Sequence, residues 1–470
     1  MNDAMPAAAR LRIRLYRHGL GDCMLLRFAK TDGDSFNLLI DCGVIGVGTA
    51  GKAATEAVAR DIAAVCGGRL DVLAMTHEHW DHASGFSHLQ ARDIFEKVAI
   101  GEVWYAWTED PDDALGARLK AERAAKVRTL VAACQALAAN GMKAAADRVG
   151  GLLEFFGLDG SNVFEAAEGI GRTRAAFEYP MRHAARTRFC RPQDAPLTLP
   201  GVAGVRVFVL GPPASERLIK KSAPSRSDSE VYEAGGDAAL AASLEAAFMR
   251  LKDRKQGGED GDEADLDGDD APFPPALRRA TPPAGGGDPL STLVDDLWDD
   301  ADQDWRRIDD DWTHAAEDLA LNLDAHTNNT SLVLAFEFTD TGQVFLFPAD
   351  AQVGNWLSWQ DLRWQVAGRE VTAGELLRRT AFYKAGHHGS HNATLRAAGL
   401  ELMQDGALVA FIPVVKSEAE RKGWRHMPFA PLLARLHEKT GGRVLQSDQE
   451  PAAGMPGLVT DALYFELSFG

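Results

Sequence analysis

Short apolar runs, each closed by a cluster of polar residues, recur along this chain and set its elements. Asn37-Leu38-Leu39-Ile40 ends in Asp41-Cys42-Gly43, and Leu70-Asp71-Val72-Leu73-Ala74-Met75 ends in Thr76-His77-Glu78-His79-Trp80-Asp81-His82. Further on, Gln343-Val344-Phe345-Leu346-Phe347 ends in Pro348-Ala349-Asp350, and Ala381-Phe382-Tyr383-Lys384-Ala385 ends in Gly386-His387-His388-Gly389-Ser390. Runs of this length and composition predict buried strands, and Gly204 to Pro213 predicts another. Between them lie helical patterns. Ala114 to Ala139 is long, rich in Ala, Leu, Arg and Lys, and free of Pro; Gly141 to Phe156 continues it. Ala238 to Leu251 reads as an amphipathic helix and Leu432 to Leu436 as part of another. Lys252 to Pro289 is rich in Gly, Asp, Glu and Pro, and is expected to be disordered because its apolar groups are too few to offset ordering entropy.

The strand that ends at Met75 delivers the densest chemistry. H-x-H-x-D-H packs three imidazoles and a carboxylate into six residues, on an element rigid enough to aim them at one point. Alternation along an extended segment puts His77 and His79 on one side, where they can grip one metal. Asp81 and His82 follow where the chain turns toward Ala83-Ser84-Gly85-Phe86, so they can serve a neighbouring ion. Nitrogen and oxygen donors without thiolate suit zinc, with manganese also fitting, and leave positions open for water.

At this run the chain resembles the metallo-β-lactamase superfamily, whose signature it is. The resemblance implies an α/β fold, a four-layer αββα sandwich carrying two divalent metal ions at the edge of the packed sheets. Here the sandwich would be interrupted by a helical insertion and an acidic, partly disordered one. It implies that Asp41 orients a ligand and that Asp350 bridges the ions, although Pro348-Ala349 stands where the family usually reads Thr-Gly. It implies a last metal histidine at His387, with His388 beside it as hydrogen-bond donor or general acid. His326 stands about where the family supplies a third histidine to the first ion. The alternative is a surface histidine, with Asn328 or Asn329 near the metals instead. The expected metal set is therefore His77, His79, Asp81, His82, His326, Asp350 and His387, and the catalytic set Asp81, His388 and Asp41. Gly389 and Ser390 let a backbone approach a phosphate closely, and Lys384, His391 and His426 complete the expected substrate-binding group.

The H-H-G-S run, with Asn328 to Leu334, the loop His18-Gly19-Leu20-Gly21-Asp22-Cys23 and the late segment Gly423-Trp424-Arg425-His426-Met427-Pro428, is similar to the soluble hydrolase domain of ComEC-type competence proteins. That similarity implies a phosphodiesterase or nuclease using a hydroxide activated by a dinuclear metal pair. Two alternatives stand beside it: hydrolysis of a small ester, lactone, lactam or thioester, and a partner-binding protein with a vestigial site.

The remaining features divide the chain and bound its partners. Residues 1–106 and 321–470 are expected to form the two parts of the sandwich, with 196–214 a returning core strand. Residues 107–195 form the helical insertion and 215–320 the acidic one. Of the net charge of −18, most sits in one place: Leu251 to Ala320 holds 21 acidic against 7 basic residues. The body is nearly neutral, so acidity does not exclude a nucleic-acid substrate. Arg172, Arg174, Arg182, Arg186, Arg188 and Arg191, interleaved with Phe177, Tyr179 and Phe189, read either as a nucleic-acid track or as a solvated face. Trp298, Trp305 and Trp312, spaced by seven, read as helix packing or as a protein-partner surface. Five cysteines without C-x-x-C spacing, no signal-peptide core and no run of membrane length predict a cytoplasmic protein with no membrane partner.

Overall fold

A computed structural model describes residues 9–45, 48–87, 91–139, 142–158, 166–221, 311–422, 424, 427–452 and 454–470. The expected helix over 238–251, the expected disorder over 252–289, Trp298, Trp305 and His426 lie outside the described residues, as does the side chain of Trp312.

The apolar runs form strands, and these assemble into two sheets. The first sheet has eight strands: β1 (Leu11–Tyr16), β2 (Met24–Ala29), β3 (Ser35–Ile40), β4 (Arg69–Ala74), β5 (Ala99–Ala106), β6 (Ala184–Cys190), β15 (Leu458–Thr460) and β16 (Tyr464–Phe469), in the order β15-β16-β1-β2-β3-β4-β5-β6. The second has six: β7 (Val205–Gly211), β8 (Val333–Phe338), β9 (Val344–Phe347), β12 (Thr380–Lys384), β13 (Val409–Ile412) and β14 (Val444–Gln446), in the order β14-β13-β12-β9-β8-β7. A small hairpin, β10 (Arg363–Val366) with β11 (Arg369–Thr372), stands apart. β3 to β6 run parallel, as do β9, β12, β13 and β14.

The two sheets face each other across one apolar core. Ile13, Leu26, Phe28 and Leu38 from the first sheet meet Val207, Phe336, Phe345 and Phe382 from the second. The outer face of the first sheet is covered by helices Gly48–Val65 and Ala166–His183, through Val58, Ile62 and Phe177. The outer face of the second is covered by helices Val353–Ser358, Ala373–Arg378 and Ala430–Thr440, through Trp356, Leu376 and Leu436. This is the four-layer αββα sandwich expected, since the central strands of both sheets are buried on both faces and must be covered twice.

The stretch expected as the helical insertion packs in two places. Helices Ala114–Ala139 and Lys143–Leu153 form a separate apolar cluster with helix Asp311–Asn328, in which Leu130, Val149 and Phe155 meet Leu319 and Leu323. Beyond it the chain rejoins the sandwich, because the Ala166–His183 helix packs on the first sheet and β6 pairs parallel to β5 at its edge. The arginine-rich tail is therefore part of the body. Phe177 and Tyr179 are buried there and cannot stack bases, while Arg188 pairs with Glu102 and Arg191 with Asp113.

Candidate metal centre

The four runs identified by sequence converge at one end of the sandwich, beyond the C-terminal ends of β3, β4, β9 and β12. Crevices at the carboxyl ends of parallel strands are where α/β sheets offer their ligand sites. Backbone strain marks the same loops. Asp41, Ala349, His387 and His388 adopt positive φ of 52°, 51°, 43° and 52°, a conformation costing about 1–3 kcal/mol for a residue with a Cβ and persisting only where surroundings impose it. Glycines permit the loops to touch. A Cβ on Gly43 would lie 2.4 Å from the Asp81 carbonyl carbon and 2.5 Å from the His82 nitrogen, and one on Gly21 would lie 2.3 Å from the Gly43 oxygen.

Asp41 organises the start of the ligand run. Its carboxylate accepts from the Thr76 N–H at 2.9 Å and the Thr76 hydroxyl at 2.6 Å, and it lies 2.8 Å from His82 Nδ1. That contact fixes the His82 ring with Nε2 facing inward. There Nε2 stands 3.2 Å from Asp350 Oδ2 and 3.5 Å from Asp81 Oδ2. Asp81 Oδ2 in turn lies 2.9 Å from His388 Nε2, whose Nδ1 is anchored 2.7 Å from the Pro413 carbonyl. His77 Nε2 and His79 Nδ1 approach to 3.0 Å on the other side. Grouped by their donor atoms, His77, His82 and Asp350 form one candidate ligand cluster and Asp81, Asp350 and His388 another. Asp350 belongs to both.

The donor set fits divalent metal. Asp81 Oδ1 is buried without a hydrogen-bond partner, and His82 Nε2 and Asp350 Oδ2 have only their 3.2 Å contact with each other, a state that costs free energy unless another group satisfies it. Oxygen and imidazole donors turned on a shared point are what a divalent ion requires. Electrostatics agrees. Burial holds His79 down to about 3 and His387 down to about 4, so both rings are neutral. Burial also opposes the charged form of His82, but Asp81, Asp350, Asp41 and Asp22 outweigh it and raise its pKa.

The structure distributes the other expected residues differently. Of the adjacent pair, His388 enters the carboxylate cluster. His387 points its Nδ1 to Ser390 Oγ at 3.0 Å and Gln352 Nε2 at 3.2 Å, and donates its backbone N–H to Asp350. His326 does not join the centre. It is half-buried on another wall of its helix, lining a small cavity with Glu122, Arg123, Lys126 and Lys220. Lys384 is fully buried, its ammonium held 2.6 Å from Asp22, 3.0 Å from Asp350 and 2.8 Å from the Ala349 carbonyl. It neutralises the carboxylates from within rather than from the rim. Gly389 and Ser390 are buried beside the cluster, and His391 is exposed near Phe429. Asn329 is structural, donating to the Ile219 and Lys221 carbonyls.

Three contributors were not read as site residues from the sequence. Asp22 lies in the loop after His18, where only the G-x-G-D pattern marked it. Gln352 follows Asp350 by two positions. Asp324, two residues before His326, is buried with Oδ1 3.9 Å from His79 Nε2.

The insertion covers the centre. Phe155 and Phe156 place their rings 5.5 and 4.9 Å from that of His79, and Phe155 stacks on Trp424 at 4.8 Å. Glu154 pairs with Lys422 across the same seam. Glu78, between the two histidines, is gripped by Arg123 and Arg174 from the flanking helices.

A family model described as the metallo-beta-lactamase superfamily matches residues 16–182, a span that contains the H-x-H-x-D-H run. No curated protein and no solved structure matches the chain. The matched family, the sandwich and the converging donors together support a metal-dependent hydrolase in general terms.

Proposed function

We propose that this protein hydrolyses phosphodiester bonds with two divalent ions, zinc or manganese, and that nucleic acid is its substrate. The observation that carries the hydrolytic reading is the convergence of buried donor atoms from His77, Asp81, His82, Asp350 and His388, with Asp81 Oδ1 left without a hydrogen-bond partner. His77 Nε2 and His79 Nδ1 would hold one ion. Asp81, His82 and His388 would hold the other, with Asp350 shared. When bound, the ions supply Lewis acidity that polarises the scissile bond and acidifies a water.

The chain's own groups prepare that chemistry. Asp41 fixes the tautomer of His82, as carboxylates behind metal histidines do. Lys384 and His82 hold the Asp350 carboxyl well below its usual range against the burial that pushes it up, keeping it an anion. His387 keeps a buried Nε2 without a hydrogen-bond partner beside the cluster, free to offer a hydrogen bond as a neutral ring. The choice of phosphodiester rests on the H-H-G-S run and the other ComEC-like segments. Five free and buried cysteines support the cytoplasmic location that goes with this reading.

One observation favours a small ester, lactone, lactam or thioester instead: the cover of Phe155, Phe156 and Trp424 leaves the candidate ligands almost wholly buried. A cleavage panel separates the two. Protein reloaded with zinc or manganese is assayed on single- and double-stranded DNA, RNA, bis-p-nitrophenyl phosphate, an aryl ester and a lactone, beside Asp81→Ala. Phosphodiester cleavage lost in the variant supports the proposal. Turnover confined to the ester or lactone replaces it, and no metal-dependent turnover on any member rejects both.

A further inference from the structure

We propose that Asp324 is the positioning carboxylate of His79, holding that ring so that Nδ1 faces the metal centre. The inference rests on the metal reading above and assigns a role to a residue outside the H-x-H-x-D-H run. His79 turns Nδ1 toward His77 Nε2 at 3.0 Å, which leaves Nε2 on the far side of the ring. That nitrogen is buried and has no hydrogen-bond partner, and neither has Asp324 Oδ1. The two orphans face each other at 3.9 Å. Among the described residues no other acceptor is paired with it, and Phe155 and Phe156 cover the ring with carbon.

Helical phase explains why Asp324 occupies this place and His326 does not. Positions one turn apart share a face, so Asp324 and Asn328 lie together on helix Asp311–Asn328. Asn328 donates its Nδ2 to Asp324 Oδ2 at 3.0 Å, so one carboxylate oxygen is fixed and the other directed at His79. His326, two positions on, is rotated by about 200° at 3.6 residues per turn and faces the opposite wall.

The arrangement repeats, on a different histidine, the one that Asp41 makes with His82. There the carboxylate contacts Nδ1 at 2.8 Å and Nε2 faces the ions' side; here the ring is reversed. Each ion would thus have one histidine held from behind by a buried carboxylate. A carboxylate behind a metal histidine raises its basicity and fixes its tautomer, and losing it typically weakens metal affinity by about 10–100-fold.

The test is a calorimetric zinc titration of wild type, Asp324→Asn, Asp324→Glu and His326→Ala, with melting temperatures of the metal-free proteins. Cobalt-substituted samples are followed in parallel by proton NMR for exchangeable imidazole N–H signals. Expected for Asp324→Asn is one binding step weakened about 10–100-fold with the other unchanged, and one exchangeable imidazole signal shifted or lost. Asp324→Glu should restore most of that step, and His326→Ala should match wild type. Equal weakening of both steps, or two unchanged steps with all imidazole signals retained, overturns the assignment. Wild type that takes up no metal would instead reject the metal reading itself, so the two failures are distinct.

Discussion

At the scale of single residues, the centre depends on atoms that carry no chemistry of their own. Gly43 is the sharpest example, because a Cβ there would meet backbone atoms of Asp81 and His82 at 2.4–2.5 Å. Backbone cannot rotate away as a side chain can, so the loop holding both ligands must shift. A displacement near 1 Å at a reacting centre costs about 100-fold in rate. Gly43→Ala is therefore expected to lower turnover by about that factor, and to weaken zinc uptake, while the melting temperature of the metal-free protein moves little. Undiminished turnover in this variant would show that the contact between the two loops does not set the ligand geometry.

At the scale of elements, the helices of the insertion are fastened to the ligand run by charge. Glu109 accepts from Arg174 at 2.8 Å and lies 3.6 Å from Arg123, while both arginines also grip Glu78. Burial pushes the Glu109 carboxyl up, but Arg123, Arg174 and Lys120 pull it further down, below the usual glutamate range. A carboxyl lowered in the folded state stabilises the protein above its unfolded pKa of about 4.5, and that contribution is lost as pH falls through the folded value. Removing one partner from a buried ion pair costs about 3–5 kcal/mol. Glu109→Gln should thus be clearly less stable than wild type at pH 7, and the difference should shrink as pH falls from 5 toward 3. Urea unfolding across that range measures it. A gap that stays constant with pH would mean the loss came from packing rather than charge.

Elements also explain what could be read in advance. The ligand run was legible because its donors are contiguous and follow an apolar strand; Asp41, Asp350 and the Gly386 to Ser390 turn close similar strands. β6 was not, because Ala184-Ala185-Arg186-Thr187-Arg188-Phe189-Cys190 has the composition of a solvated tail. It is the edge strand of its sheet, where charged side chains keep the strand from pairing with other chains. Asp324 and the choice between His387 and His388 were hidden for another reason. Each depends on the rotation of an element about its own axis, which tertiary packing sets and local spacing does not.

At the scale of the whole molecule, the acidic insertion and the centre are separable in a way the chain's connectivity makes testable. The described chain breaks after Lys221, whose carbonyl accepts from Asn329 at 2.8 Å, and resumes at the start of helix Asp311–Asn328. That helix has 18 residues, so the two attachment points lie on the order of 27 Å apart along its axis. Removing Lys252 to Pro289 leaves on the order of fifty residues to join them, several times the extended length needed. Metal content, melting temperature and turnover of a small substrate should then match wild type. The deletion takes away ten acidic and five basic residues, so the remaining protein repels polyanions less. Binding of single-stranded DNA at low salt should tighten, and the advantage should fade as salt screens it. Loss of small-substrate turnover with metal content intact would make the acidic segment part of the catalytic machinery. Unchanged DNA binding at every salt concentration would place its charge too far from the centre to act on a substrate.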